Sequence, residues 1–167
     1  MIPWEDIDHL SPTGDVWSED PDRYANPQII LAVDYFRHIL GAPVFPSPVP
    51  GALARFDGSE TSRHWVGDAE EPSRQSDALD IFCGIDIRTA YLTALTMRDF
   101  GAIGVYFDTH YRHQPHCLLH LDLRHLEASN PNQPTVIWYR EDGEYHYPSK
   151  NRAASKRMLE LLASRHK

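Results

Sequence analysis

At 167 residues, with 41% hydrophobic and 24% charged residues, the chain has the size and composition of one folded domain that can bury a core without staples. Its 24 acidic against 16 basic residues give a formal charge of −8, which argues against a nucleic-acid footprint or a patch that would hold it on an anionic membrane or wall polymer. No apolar window is long enough to span a bilayer, and Met1-Ile2-Pro3-Trp4-Glu5-Asp6 offers neither a basic start nor an apolar stretch, so no membrane insertion and no ordinary signal peptide are expected.

Residues 1–25 are polar, carry Pro3, Pro12 and Pro21, and read as an irregular arm lying on the domain. Asn26-Pro27 then opens a helix, Asn as N-cap and Pro at the first helical position. Ile29, Ile30, Val33, Phe36, Ile39 and Leu40 follow at helical spacing, and Gly41 ends the helix. The proline-punctuated segment 42–50 allows only an edge strand or an extended loop. Residues 57–77 are polar and acidic and read as a long loop. Ala78–Cys83 reads as a buried strand, Asp86–Phe100 as a helix stopped by Gly101, and Ala102–Phe107 as another strand. After a histidine-rich loop, Leu118–Leu123 alternates as a strand. Thr135–Arg140 and Glu144–Tyr147 flank the hairpin signal Asp142-Gly143, and a helix from Asn151 to Arg165 closes the chain. The order predicts a single α+β domain over 1–167, with a mostly antiparallel sheet flanked by helices. Cys83 and Cys117 could form one bridge, but their apolar surroundings favour two buried free thiols.

Ten residues are histidine, and His110, His113, His116 and His120 fall within one short stretch. Histidine binds metals and moves protons near neutral pH. Asp80 lies inside the apolar run Ala78-Leu79-Asp80-Ile81-Phe82-Cys83, where an unpaired carboxylate would cost several kcal/mol. It therefore needs a partner, an Arg, a Lys or a metal ion. In Leu118–Arg124, strand alternation puts His120, Asp122 and Arg124 on one face, which is either a solvated face or a functional one. His64, Asp80 and His120 together would make two imidazoles and one carboxylate. That is a catalytic zinc set, with three protein ligands and a fourth position left for water. Asp122 is placed to orient a ligand histidine.

Here the chain resembles a family. Ser62-Arg63-His64, Ser76-Asp77-Ala78-Leu79-Asp80-Ile81, Gly101-Ala102-Ile103-Gly104-Val105-Tyr106 and His120-Leu121-Asp122 follow the order of the LAS-type metallopeptidases. These include D-Ala-D-Ala carboxypeptidases and dipeptidases, phage L-Ala-D-Glu endolysins and murein endopeptidases. The resemblance runs from about Asn26 to Arg124. It implies the Hedgehog/DD-peptidase fold, Zn2+ on His64, Asp80 and His120, Ser62 and Asp122 behind the ligands, and Arg55 binding a substrate carboxylate. His64 and Asp80 are sixteen positions apart, so residues 65–75, with Asp68, Glu70 and Glu71, form an insertion expected at the mouth of the site. Ser76 stands where the motif has glycine. Cys117 stands where many members place a carboxylate base, which leaves His116 and His113 as the local acceptors, with Glu70 or Glu71 as the other source.

The implied activity is zinc-dependent hydrolysis of peptide bonds in peptidoglycan stem peptides. The expected origin is phage or prophage, with synthesis in the cytoplasm and exit by lysis or in a particle. The alternative is a non-catalytic or degenerate metal-binding module of the same fold, acting in a particle or as a binding protein. A peptidase for a small substrate outside the wall is a third reading.

Overall fold

Each α-helix among the described residues begins at a side chain that caps it. In the computed structural model, which describes residues 2–11, 13–109, 118–124 and 136–165, Asp20, Asn26, Asp86 and Asn151 each accept a backbone N–H from the first turn. They start α1 (Pro21–Tyr24), α2 (Pro27–Leu40), α3 (Ile87–Thr96) and α4 (Arg152–Ser164). Gly41 closes α2 in the left-handed region at φ 63°. Helix α3 stops before the expected Gly101, because the chain straightens at Met97 and buries both Met97 and Phe100. No helix among the described residues is long and apolar enough to cross a membrane.

The strands are β1 (Val44–Pro46), β2 (Ala78–Cys83), β3 (Ala102–Tyr106), β4 (Leu118–Asp122), β5 (Val136–Glu141) and β6 (Glu144–His146). They form one six-stranded sheet in the order β1-β2-β4-β3-β5-β6. The expectation of a mostly antiparallel sheet is corrected: the sheet is mixed, with β3 and β5 parallel. The chain reverses from β3 into β4, which lies between β2 and β3. The next reversal lays β5 on the open edge of β3, pointing the same way. β1, with Pro46, is an edge strand. Asp142 and Gly143 take positive φ, 52° and 82°, as a two-residue hairpin between β5 and β6 requires.

Side-chain alternation gives the sheet two unlike faces. Leu79, Ile81, Ile103, Val105, Leu119, Leu121 and Tyr139 join the main core with Ile29, Ile30, Val33 and Phe36 of α2, Ala90 and Ala94 of α3, and Met158 and Leu161 of α4. Cys83 ends this row as a free, buried thiol whose pKa burial pushes up to about 12; Cys117 lies outside the described residues. The opposite face carries Asp80, His120, Gly104 and Trp138 in one register row across four strands. Phe82, Tyr106, Leu118 and Trp138 make a small second cluster beside that row.

The N-terminal arm departs from its irregular expectation. It holds a 3-10 turn at Trp4–Asp6 besides α1, and buries Ile2, Ile7 and Leu10 against the core. Asp34 of α2 straps it down by accepting the backbone N–H groups of Asp8, His9 and Leu10 at 3.3, 2.8 and 2.9 Å.

Candidate metal centre

Asp80 and His120 are direct cross-strand partners on β2 and β4. That pairing brings the carboxylate and the imidazole together, with His120 Nδ1 2.9 Å from Asp80 Oδ1. His64 arrives from the long loop and closes a triangle. Its Nε2 lies 3.0 Å from His120 Nδ1 and 3.3 Å from Asp80 Oδ1. All three residues are buried, at 2%, 5% and 5% exposure, so little water reaches them to screen or solvate the charge.

The outer ring nitrogens fix which atoms face inward. His64 Nδ1 lies 3.2 Å from the Leu53 carbonyl, which can only accept, so Nδ1 carries the proton and Nε2 a lone pair. His120 Nε2 lies 3.1 Å from Asp122 Oδ2, so it too carries a proton and Nδ1 turns inward. Two imidazole lone pairs and a carboxylate oxygen then point at one another. Such a convergence repels itself unless a cation is shared, either a proton on one ring or a metal ion. The 2.9–3.3 Å separations are close to the ~3.3 Å edge of a tetrahedron with bonds of ~2.0–2.1 Å. His64, Asp80 and His120 could therefore hold a metal ion, and no other group of three such ligands occurs among the described residues.

The local charges agree with that arrangement. Burial alone would raise the Asp80 carboxyl, but His64 and His120 outweigh it and hold its pKa well below the usual carboxylate range. Burial likewise opposes a charge on His120, yet the hydrogen bonds to Asp122 and Asp80 prevail and bring it up to about 9. Asp122, fully buried, is held low against burial by His120 and by Arg124. The Arg124 guanidinium grips it through Nε to Oδ1 at 2.9 Å and a terminal nitrogen to Oδ2 at 2.6 Å.

Both glycines of the Gly101-Ala102-Ile103-Gly104 segment have steric reasons. A Cβ on Gly104 would sit 2.1 Å from the Trp138 ring, which crosses that position to lie 5.3 Å, centroid to centroid, from His120. A Cβ on Gly101 would collide with the Arg124 carbonyl at 1.6 Å.

Beside the triangle lies a cleft of about 180 Å³ lined by Asp80, Ser47, Arg55, Tyr106, Arg140 and Tyr145, among others. Arg55 is thus at the cleft, with its Nε donating to the Gly51 carbonyl at 3.1 Å. Tyr106 is kept a neutral phenol by burial first, then by the negative charge of Asp80 and by Tyr145. Ser62 supports His64 through the backbone, accepting its N–H at 3.3 Å, and does not bond the ring. Ser76, in place of the motif glycine, is buried and bonds the Arg63 and Ala78 carbonyls. The 65–75 excursion turns back on itself through Gly67 and Pro72 and is pinned at α1, where Tyr24 Oη and Arg23 donate to the carbonyls of Ala69 and Glu70. None of Asp68, Glu70 and Glu71 lines the cleft. His113 and His116 lie outside the described residues.

The sequence reading missed the Leu53 carbonyl, the Arg124 clamp and Arg140. Strand alternation already set Arg124 on the face of Asp122, and that was the signal for the clamp. A backbone carbonyl has no residue signature. Comparison with family models, with curated proteins and with solved structures finds no match.

Proposed function

We propose that this chain is a zinc-dependent peptidase of the LAS type that hydrolyses peptide bonds in peptidoglycan stem peptides. The observation that carries the reading is the buried convergence of His64 Nε2, Asp80 Oδ1 and His120 Nδ1, in the chain order of the family's motifs. Two imidazoles and one carboxylate suit zinc. Bound there, a zinc ion would polarise a scissile carbonyl and lower the pKa of a water. The chain's own residues supply the rest. Asp122 and Arg124 hold His120 with its lone pair inward. Arg55 pairs with a substrate carboxylate at the cleft. Tyr106, a neutral phenol, donates a hydrogen bond, and His116, or else His113, accepts a proton. Expression from a phage or prophage, with release at lysis, fits an enzyme of this class.

The test is metal analysis of the purified protein with hydrolysis of purified peptidoglycan. About one zinc per chain and released peptide termini are expected, both lost in His64→Ala and His120→Ala. His116→Gln should cut hydrolysis by about 10²–10⁴-fold with zinc still bound. Unchanged turnover would remove His116 as the base.

The second reading is a metal-binding module of the same fold that does no chemistry. It draws on the cleft's composition: among the described residues lining it, Asp80 is the only carboxylate, and Asp80 is committed to the metal set. Stoichiometric zinc without hydrolysis of any wall peptide would favour it.

A further inference from the structure

The segment 51–55 touches two of the three candidate ligands through its backbone. The Ala52 carbonyl accepts the Asp80 N–H at 2.9 Å, and Arg55 donates its N–H to the His64 carbonyl at 2.7 Å. The Leu53 carbonyl accepts from the His64 ring at 3.2 Å. A loop that sets a ring tautomer through one carbonyl must itself be fixed, since rotation of that peptide would withdraw the acceptor. The segment belongs to no strand or helix; β2 reaches it only through the Asp80 N–H, and the 64–66 stretch only through Arg55.

Around Leu53 itself, the N–H groups of the loop are gathered by one side chain from the N-terminal arm. The Glu19 carboxylate accepts the N–H of Gly51 on Oε1 at 2.7 Å, and those of Leu53 and Ala54 on Oε2 at 3.1 and 3.0 Å. Ser18 Oγ donates to Glu19 Oε2 and accepts from the same Leu53 N–H at 3.1 Å. Three N–H groups converging on one carboxylate form an anion nest, in which each bond is charge-assisted. The peptide units so gripped include Leu53, whose carbonyl faces His64.

We propose that Glu19 is a positioning residue of the metal centre, acting through the 51–55 loop to keep the Leu53 carbonyl on His64 Nδ1 and so the His64 Nε2 lone pair turned inward. The inference rests on the reading of His64, Asp80 and His120 as metal ligands. It makes the arm a working part of the site, held by two carboxylates with different duties. Asp34 straps residues 8–10 to α2 and touches neither loop nor ligand, whereas Glu19 fixes the loop that sets the ligand.

That contrast supplies the experiment. Zn2+ alone is titrated into full-length wild type, Glu19→Gln and Asp34→Asn against a chelating dye, well below each protein's melting temperature. The His64 ring tautomer is read by 15N-edited NMR on the metal-stripped proteins. Glu19→Gln should weaken zinc by about 10–100-fold, as loss of a group that orients a ligand does, and should populate the second His64 tautomer. Asp34→Asn should melt earlier yet bind zinc within about twofold of wild type, with one tautomer. If both variants lose affinity in proportion to their melting temperatures, or if Glu19→Gln binds like wild type, the proposal is overturned. Should Glu19→Gln not fold, Glu19→Asp is read in the same way, its carboxylate kept but one methylene too short to reach all three N–H groups. Failure of the wild type to bind zinc overturns the metal-site reading itself, which the tautomer spectra distinguish from a failure of the Glu19 assignment.

Discussion

The two faces of the sheet are built on opposite principles. The helix-covered face is apolar, filled by large side chains such as Phe36, Phe100 and Ile103, and held by surface removed from water. Beside a small apolar cluster, the other face carries Asp80, His120 and Asp122, each with a named partner. Among the described residues no buried side-chain nitrogen or oxygen lacks one. The first face tolerates imprecision, because hydrophobic attraction is non-directional. The second does not, because a buried carboxylate or imidazole stabilises the fold only with its partner in place. Stability and site chemistry should therefore be separable by mutation.

Phe36→Ala should make the largest break in stability. Phe36 is fully buried edge-on against Phe100, so truncation should cost about 3–5 kcal/mol in urea unfolding. Zinc affinity of the folded fraction should stay within about twofold of wild type; a parallel fall would show that the faces are coupled. Asp122→Asn should do the reverse. It replaces one acceptor oxygen by an NH2 group and removes the charge that His120 Nε2–H and Arg124 share, so zinc affinity should drop about 10–100-fold, measured by dye competition.

Gly104→Ala tests the seam between the faces. Its new methyl would meet the Trp138 ring at 2.1 Å, so the ring must move off His120. About 1–3 kcal/mol should be lost, with a changed tryptophan emission. Emission and stability like wild type would show that Trp138 does not brace the ligand.

The stability of the metal-stripped protein and its affinity for metal should depend on pH with opposite sign. The folded protein favours charged His120, so that stabilisation is complete below the ordinary histidine value of ~6.5 and is lost as pH rises through about 9. Asp80 and Asp122 act oppositely, stabilising above the ordinary carboxylate range and losing that as pH falls through their depressed values. A metal ion displaces the His120 proton, so affinity should rise about tenfold per pH unit across the same window. A flat affinity profile there would mean that His120 is not a ligand.

Much of this division was legible in the sequence. The strand 78–83 appeared with its true limits because an apolar run between turn signals is a local property. Asp80 inside it demanded a partner for the same reason. The caps Asn26 and Asp86 were equally plain; Asn151 was read as the start of its helix and proves to be its cap. The parallel β3–β5 pair was not, since strand order is decided by where each connection returns. His64 was visible only as the third member of a set with Asp80 and His120, which the family resemblance then ordered, because a histidine in a polar loop carries no pattern of its own. The arm looked irregular, yet Asp34 beside Ile30 and Val33 on the buried side of α2 was a charged group in an apolar stripe. It was an unread signal that a partner would be brought to it, and the structure supplies the backbone N–H groups of the arm.

The distance along the chain between the ligands sets when the centre can exist. Asp80 and His120 meet only where β4 has entered between β2 and β3, and His64 is 56 positions away from His120. No short stretch of the chain holds the full ligand set, so during synthesis a metal ion has no complete site until β4 has emerged and paired. Any loading of a metal there would therefore come after the central strands assemble. A metal that binds only the finished fold adds to its stability by mass action. Scavenging by chelators would then be felt as lost resistance to unfolding across the whole domain, and metal supply would act as a quality check on completed chains.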